Sequence, residues 1–283
     1  MGFRKLTVRF AGLAAAALLA AGTLVGCVNA SDVKAEEPAS VSSTASAANV
    51  STISVGTATD SSTGATSAAS TAADTNTELT SSQVSVTIDG KSTPLSGAYV
   101  VDGIDAVIDG GTYSSPTADQ AVFLVVNGGS LTIRNAEITK SGDTSNEEQS
   151  NFYGFNSAVL VVGEGSNVTV ENTTITTQSS GSNGVVATGG ATAAVQQTTI
   201  ETHANSSRGL HATYKGTITG ENVAIHTRGA HSATLATDRG NGTVTVTGTN
   251  ELNTEGDGSP LLYSTGQISA SGVTGRQRIP RWS

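Results

Sequence analysis

One phrase returns along this chain about every 25 residues: a short apolar run, a break centred on Gly, an alternating β-branched run, and an ending such as Ile-x-Thr. The endings stand at Ile138-Thr139-Lys140, Ile175-Thr176-Thr177, Ile200-Glu201-Thr202, Ile225-His226-Thr227 and Leu252-Asn253-Thr254, spaced 37, 25, 25 and 27 residues apart. A fixed period of this length, with strand-like content and no helical pattern, predicts a β-solenoid. A single turn of short strands has no second layer against which to bury its apolar side, so it is stable only when stacked on others.

The unit starts predict the stacking. Aligned as Ala121-Val-Phe-Leu-Val, Ala158-Val-Leu-Val-Val, Gly184-Val-Val-Ala-Thr, Gly209-Leu-His-Ala-Thr, Ala233-Thr-Leu-Ala-Thr and Ser259-Pro-Leu-Leu-Tyr, they place like residues in columns along a parallel sheet. The middle runs, such as Ser130-Leu-Thr-Ile and Asn167-Val-Thr-Val, alternate with period 2 and so have one buried face. Val185 and Ile200 fall in the apolar pattern, and Thr188 is expected on the outer face. Gly and Asn fall at the corners, where positive φ is needed.

The N-terminal part is of another kind. Residues 1–27 carry Arg4, Lys5 and Arg9, then an apolar Ala/Leu stretch, and end in Leu24-Val25-Gly26-Cys27. The stretch predicts a signal peptide, too short and wrongly flanked to remain in a membrane. Its ending resembles the lipobox of bacterial lipoproteins, which implies lipid attachment at Cys27, membrane anchoring through that lipid, and display on the cell surface or envelope. Cys27 is the only cysteine, which fits an exported chain without disulfides. Residues 28–82, rich in Ser, Thr and Ala, hold nothing that builds a core and are expected to be a disordered tether with a reach of roughly 40 Å.

The β-helix domain is expected over residues 83–275. From Val84 it holds 17 acids against 7 bases, which argues against nucleic acid as a partner and disfavours acidic polysaccharides unless a cation bridges them. Beyond it, residues 276–283 form a basic, Trp-containing tail that departs from the repeat and reads as a truncation or frameshift.

The first spacing exceeds the repeat by 12 residues, and the surplus lies in 141–156, an insertion expected to leave the solenoid as a loop. It combines Asp143, Glu147 and Glu148 with Asn151, Phe152 and Tyr153, acids and aromatics of the kind that hydrogen-bond and stack on sugars. Phe152, Tyr153 and Phe155 also suit a cap over the coil. In the same corner of later coils stand Arg208, His231, Asp238 and Arg239. Together with Asn151 and Tyr153 they form the candidate ligand face; Asp238-Arg239 also reads as a local turn pair. The histidines at 203, 211, 226 and 231 share no column and no metal-ligand spacing, so no metal or other cofactor is expected. His211 takes an apolar position in its column and is expected to be packed or at a groove floor.

The phrase Gly128-Gly-Ser-Leu-Thr-Ile-Arg-Asn-Ala-Glu-Ile-Thr139, with Ser207-Arg-Gly-Leu210, Ala236-Thr-Asp-Arg-Gly240 and Ser259-Pro-Leu-Leu-Tyr-Ser-Thr-Gly266, resembles the right-handed parallel β-helix proteins of the pectate-lyase-like superfamily, especially exported adhesin-like members. The resemblance implies an all-β right-handed parallel β-helix of about six or seven coils. That superfamily spans lyases, hydrolases, adhesins and phage spikes, so fold alone does not assign chemistry. The polygalacturonase motifs are absent, and no Lys or Arg stands beside a clustered Asp trio as in a calcium-dependent lyase. The expectation is an adhesin-like cell-surface protein that binds glycans or other surface ligands, without catalytic residues. A polysaccharide lyase or glycoside hydrolase is the alternative, and a structural spacer is the third reading. Oligomeric state is left open by the sequence.

Overall fold

The computed structural model describes residues 76–278; the signal peptide, Cys27, residues 28–75 and residues 279–283 lie outside the described residues. Within them the chain is a parallel β-solenoid of seven coils, each contributing one strand to each of three sheets. Sheet A holds Lys91–Asp102, Gln120–Val126, Val159–Val162, Val185–Thr188, Leu210–Ala212, Leu235–Thr237 and Leu262–Ser264, in coils 1 to 7 respectively. Sheet B runs from Asp105–Asp109 to Gln267–Ala270 and sheet C from Thr112–Ser115 to Val273–Gln277.

The core is built from columns of like side chains. Ile138, Ile175, Ile200, Ile225 and Leu252 stand in register along sheet C, all essentially inaccessible to solvent, as the repeat endings predict. They meet Leu131, Val168, Ala193, Ile218 and Val244 from sheet B, and Phe123, Val159, Val185, Leu210 and Leu235 from sheet A. Each removes its apolar surface from water only because the next coil covers it.

Three registers differ from the alignment of unit starts. Val159, Val185 and Leu210 share a column as expected, but their partner in coil 2 is Phe123 rather than Val122. In coils 6 and 7 it is Leu235 and Leu262 rather than Thr234 and Pro260. In coils 2 and 6 the offset is one residue, which turns every side chain to the opposite face, so the large apolar Phe123 and Leu235, not the residues before them, set the register; in coil 7 it is two residues.

The corner between sheets B and C explains the placement of Asn and Gly. Gly110, Asn135, Asn172, Gln197, Asn222 and Gly248 each follow a B strand with positive φ, from 46° at Asn172 to 81° at Gly248. Asn tolerates this region because its short amide bonds locally. Here the amides also bond from coil to coil: Asn172 Nδ2 donates to Asn135 Oδ1 at 2.7 Å, and Asn135 Nδ2 to Asp109 Oδ1 at 2.6 Å. Asp109 thus begins a ladder, and Asp102 likewise accepts from Asn127 Nδ2 at 2.6 Å.

The ends of the domain extend beyond the expected bounds. Residues 76–82, placed in the tether by composition, lie against coil 1: Thr77 N donates to Val107 O at 2.8 Å, and Asp109 N donates to Asn76 Oδ1 at 2.7 Å. This covers the open edge of the first B strand, which otherwise presents unpaired backbone groups. At the other end Arg276 and Gln277, placed in the tail, continue the last C strand opposite Asn253 and Thr254.

Sheet A is buried on both faces over its first coils. Its inner residues join the main core, while Leu124, Val126, Leu160, Val162 and Val186 point outward into a second apolar layer. That layer is closed by Val86, Ile88 and Leu95 of the antiparallel pair Ser82–Ile88 and Lys91–Gly97, and by Phe155 of the insertion.

Candidate functional site

The insertion is not a simple loop. It contains a helix, α1, Glu147–Tyr153, which the β-dominated sequence pattern concealed. Its ends carry local signals: the Asn146 side chain accepts from Gln149 N at 3.0 Å, Glu147 and Glu148 occupy the first turn, and Gly154 closes it at φ 75°. Gly154 also lets the chain approach sheet A, since a Cβ there would lie 2.7 Å from Val186 Cγ1.

The base of the insertion is clamped by a buried lysine. Lys140 Nζ donates to Thr117 O and Gly142 O, each at 2.8 Å, and Gly142 O also accepts from Asn156 Nδ2 at 2.6 Å and Ser179 Oγ at 2.7 Å. Burial lowers the ammonium to about 8, against the pull of Asp119 and Asp143. Burial also acts to raise the Asp119 carboxyl, but hydrogen bonds from Ser145 and Thr144 outweigh it and hold the group below its ordinary value.

From this base α1 lies over the outer face of sheet A and reaches forward to later coils. Asn183 Nδ2 donates to Ser150 O at 3.3 Å, Ser206 Oγ bonds to Glu147 Oε1, and Arg208 Nη1 donates to Asn151 Oδ1 at 2.6 Å. Further along, Thr213 Oγ1 donates to Phe152 O at 2.8 Å, and Tyr153 stacks on Tyr214 with ring centroids 5.4 Å apart. Arg239 lies over the Phe152 ring, 3.7 Å from its centroid, with Glu148 at 4.0 Å.

These contacts bring together the side chains that the sequence placed on one face. Asn151, Tyr153, Arg208 and Arg239 meet at α1. Asp238 stands beside Arg239 and accepts from its backbone N–H at 2.9 Å. His231 lies across a recess of about 220 Å³ from Arg208, with Ala233, Gly258, Pro260 and Tyr263. The cap and the ligand face are one piece of structure: Phe155 is buried in the outer layer, while Tyr263 is 40% exposed.

Two buried polar groups lie beneath this face. Arg208 is only 8% exposed, and burial pulls its guanidinium down from its ordinary range against the attraction of Asp238, Tyr263 and Glu147. His211, on the outer face in register with Val186 and Ala236, is fully buried and has no hydrogen-bond partner at either ring nitrogen. Burial, reinforced by Arg208, carries it well below the ordinary imidazole value, so it is neutral near pH 7.

Sequence reasoning missed Tyr214 and Tyr263 because each sits in a different phrase of the repeat. It also placed Thr188 on an exposed face. The side chain does point outward, but α1 covers that surface, and Thr188 is fully buried 2.8 Å from Thr213 Oγ1.

A structural motif also went unread: Thr-x4-Ser, at Thr177/Ser182, Thr202/Ser207, Thr227/Ser232 and Thr254/Ser259, all buried at the corner between sheets C and A. The hydroxyls of Ser207, Ser232 and Ser259 each accept the backbone N–H of the Ser one coil before, at 3.1, 3.0 and 2.9 Å, and Ser182 Oγ at the head of the column accepts from Asn156 Nδ2 at 2.9 Å. Thr202 Oγ1 donates to Ser207 O at 2.6 Å. The column supplies partners for a polar corner that water does not reach.

The other histidines lie elsewhere. His203 is 3.5 Å from Glu201, His226 is 2.7 Å from Glu255, and Arg228 spans the two acids on the surface of sheet C. Among the described residues no group of three or more His, Cys, Asp or Glu side chains is placed to hold a metal ion. Comparison with protein-family models, curated proteins and solved structures finds no match for this chain.

Proposed function

We propose that this protein is a lipid-anchored, surface-displayed glycan-binding protein that acts without catalysis. The observation that carries the reading is the assembly around α1. Amide, guanidinium, imidazole and aromatic groups from five separated stretches of sequence come together around α1 and the adjoining recess: Asn151 and Asp238-Arg239 at the helix, and Arg208, His231 and Tyr263 at the recess. Sugars are recognised by such mixtures: planar polar groups bond the hydroxyls, and aromatic rings cover the apolar faces.

A glycan array probed with the full chain tests this, run beside assays for reducing ends and unsaturated products. Binding that is lost in Tyr263→Ala and Arg239→Ala, with unchanged thermal unfolding, supports the reading. Product release that disappears in Glu147→Gln or Asp238→Asn replaces it with the lyase or hydrolase reading. An array on which nothing binds leaves a structural spacer.

A further inference from the structure

The recess beside Arg208 carries the reading of this face further, to the class of sugar. An arginine has five N–H donors, and a buried cation is costly unless it is paired. Arg208 is 8% exposed, yet among the described residues its side chain makes one hydrogen bond, to the neutral Asn151 Oδ1, and no ion pair. The two nearby acids are otherwise engaged: Glu147 Oε1 accepts from Ser206 Oγ and Asp238 Oδ1 from Arg239 N. The guanidinium therefore lines a cavity with donors to spare and no carboxylate of the described residues in contact.

The cavity also limits what enters. At about 220 Å³ it lies below the roughly 300 to 1,000 Å³ typical of sites for drug-sized ligands. Its lining includes His231, Gly258, Pro260 and Tyr263 beside Arg208, and its size suits one sugar ring at a chain end rather than an internal stretch of polymer. Tyr263, 40% exposed, offers a ring face at its edge.

We propose that this recess receives the carboxylate of a terminal acidic sugar, with Arg208 as the anion-binding group and Tyr263 as the stacking platform; the proposal rests on the glycan-binding reading of the face. The planar guanidinium fork matches a carboxylate in a way that a hydroxyl does not. The acidic balance of the domain works against a long polyanion. It does not prevent a single carboxylate from reaching a nearly buried arginine, because exposed charges beyond about 8 Å are screened at physiological salt and a desolvated pair is screened far less.

Calorimetric titration of the full chain with the methyl glycosides of glucuronic acid and N-acetylneuraminic acid, and with their methyl esters, tests the proposal. At least one acid is expected to bind about tenfold or more tightly than its ester. The difference is expected to vanish in Arg208→Gln, whereas Tyr263→Ala weakens acid and ester together and preserves their ratio. If Arg208→Gln fails to fold, the acid-to-ester ratio in the unaltered chain and in Tyr263→Ala still decides.

Equal binding of acid and ester overturns the carboxylate role while leaving sugar binding intact, and so does a preference that survives Arg208→Gln. Tighter binding of an internal polyuronate than of the single sugars overturns the end-group assignment. Failure of every acid and ester, together with a silent array of neutral glycans, removes the underlying reading and the proposal with it.

Discussion

Thr213 Oγ1 donates to the carbonyl of Phe152 at 2.8 Å, joining α1 to a coil 61 residues further along the chain. Thr213→Val leaves that carbonyl without its donor and also removes a neighbour of the buried Thr188 hydroxyl. The expected cost is about 1 to 3 kcal/mol, confined to the docking of the insertion. Hydrogen exchange or limited proteolysis should report opening of residues 141–156 while the amides of Ile175 and Ile200 stay protected. Uniform loss of protection along the stack would contradict a local role.

Val185 is fully buried in the main core, and a carboxylate placed there has neither water nor a partner. Val185→Asp should cost several kcal/mol and abolish cooperative unfolding. Thr219→Asp, at an exposed position of sheet B, should change stability by less than about 0.5 kcal/mol. Thr188 does not serve as the tolerant position, and Thr188→Asp should also destabilise. Chemical denaturation of the three variants gives the comparison.

His211 sets a pH dependence whose sign follows from its environment. Its folded value is well below the ordinary imidazole value, so below about pH 6.5 the unfolded chain binds a proton that the folded chain refuses. Stability should therefore fall as pH drops below about 6.5, by up to about 1.4 kcal/mol per pH unit from this group, until the folded imidazole titrates. His211→Leu should remove that component and flatten the profile between about pH 6.5 and 5. An identical slope in the variant would show that other groups cause it.

Ser207 holds the corner between two coils: its hydroxyl accepts from Ser182 N and donates to Ser179 O at 3.0 Å. Ser207→Ala leaves buried backbone groups unpaired on both sides and should cost about 2 to 3 kcal/mol in thermal or denaturant unfolding. Ser206→Ala, its sequence neighbour, loses only the bond to Glu147. The second substitution should shift the insertion and spare the stack.

Cys27 lies outside the described residues, and its role is tested chemically. Cys27→Ser should release the protein from the membrane fraction and remove the mass of a diacylglycerol from the mature chain. Unchanged fractionation, with no lipid mass in either form, would end the lipoprotein reading.

The periodic parts of the fold were legible because stacking makes chemistry repeat. The Ile138–Leu252 column appears directly as a spacing in the sequence, and the Asn and Gly corners appear as breaks. What escaped is aperiodic. α1 occurs once and has no second copy to align with, and its capping signals at Asn146 and Gly154 are short. Arg208 and Asn151 were both singled out, but their contact depends on how far a helix reaches across coils, which spacing does not encode. Tyr263 was unreadable as a site residue because its column holds Val186, His211 and Ala236, which share no chemistry with it.

α1 leaves the chain between coils 2 and 3, yet grips Arg208, Thr213 and Tyr214 in coil 5 and Arg239 in coil 6. In a solenoid whose units touch only their neighbours, a tensile load applied from the C-terminal side peels one coil at a time. Here coil 7 can detach freely, but the next step must also strip Arg239 from Phe152, and the one after must break the contacts to Asn151 and Tyr153. The insertion thus acts as a strap across the coils it spans, so resistance to peeling rises where the candidate ligand face begins.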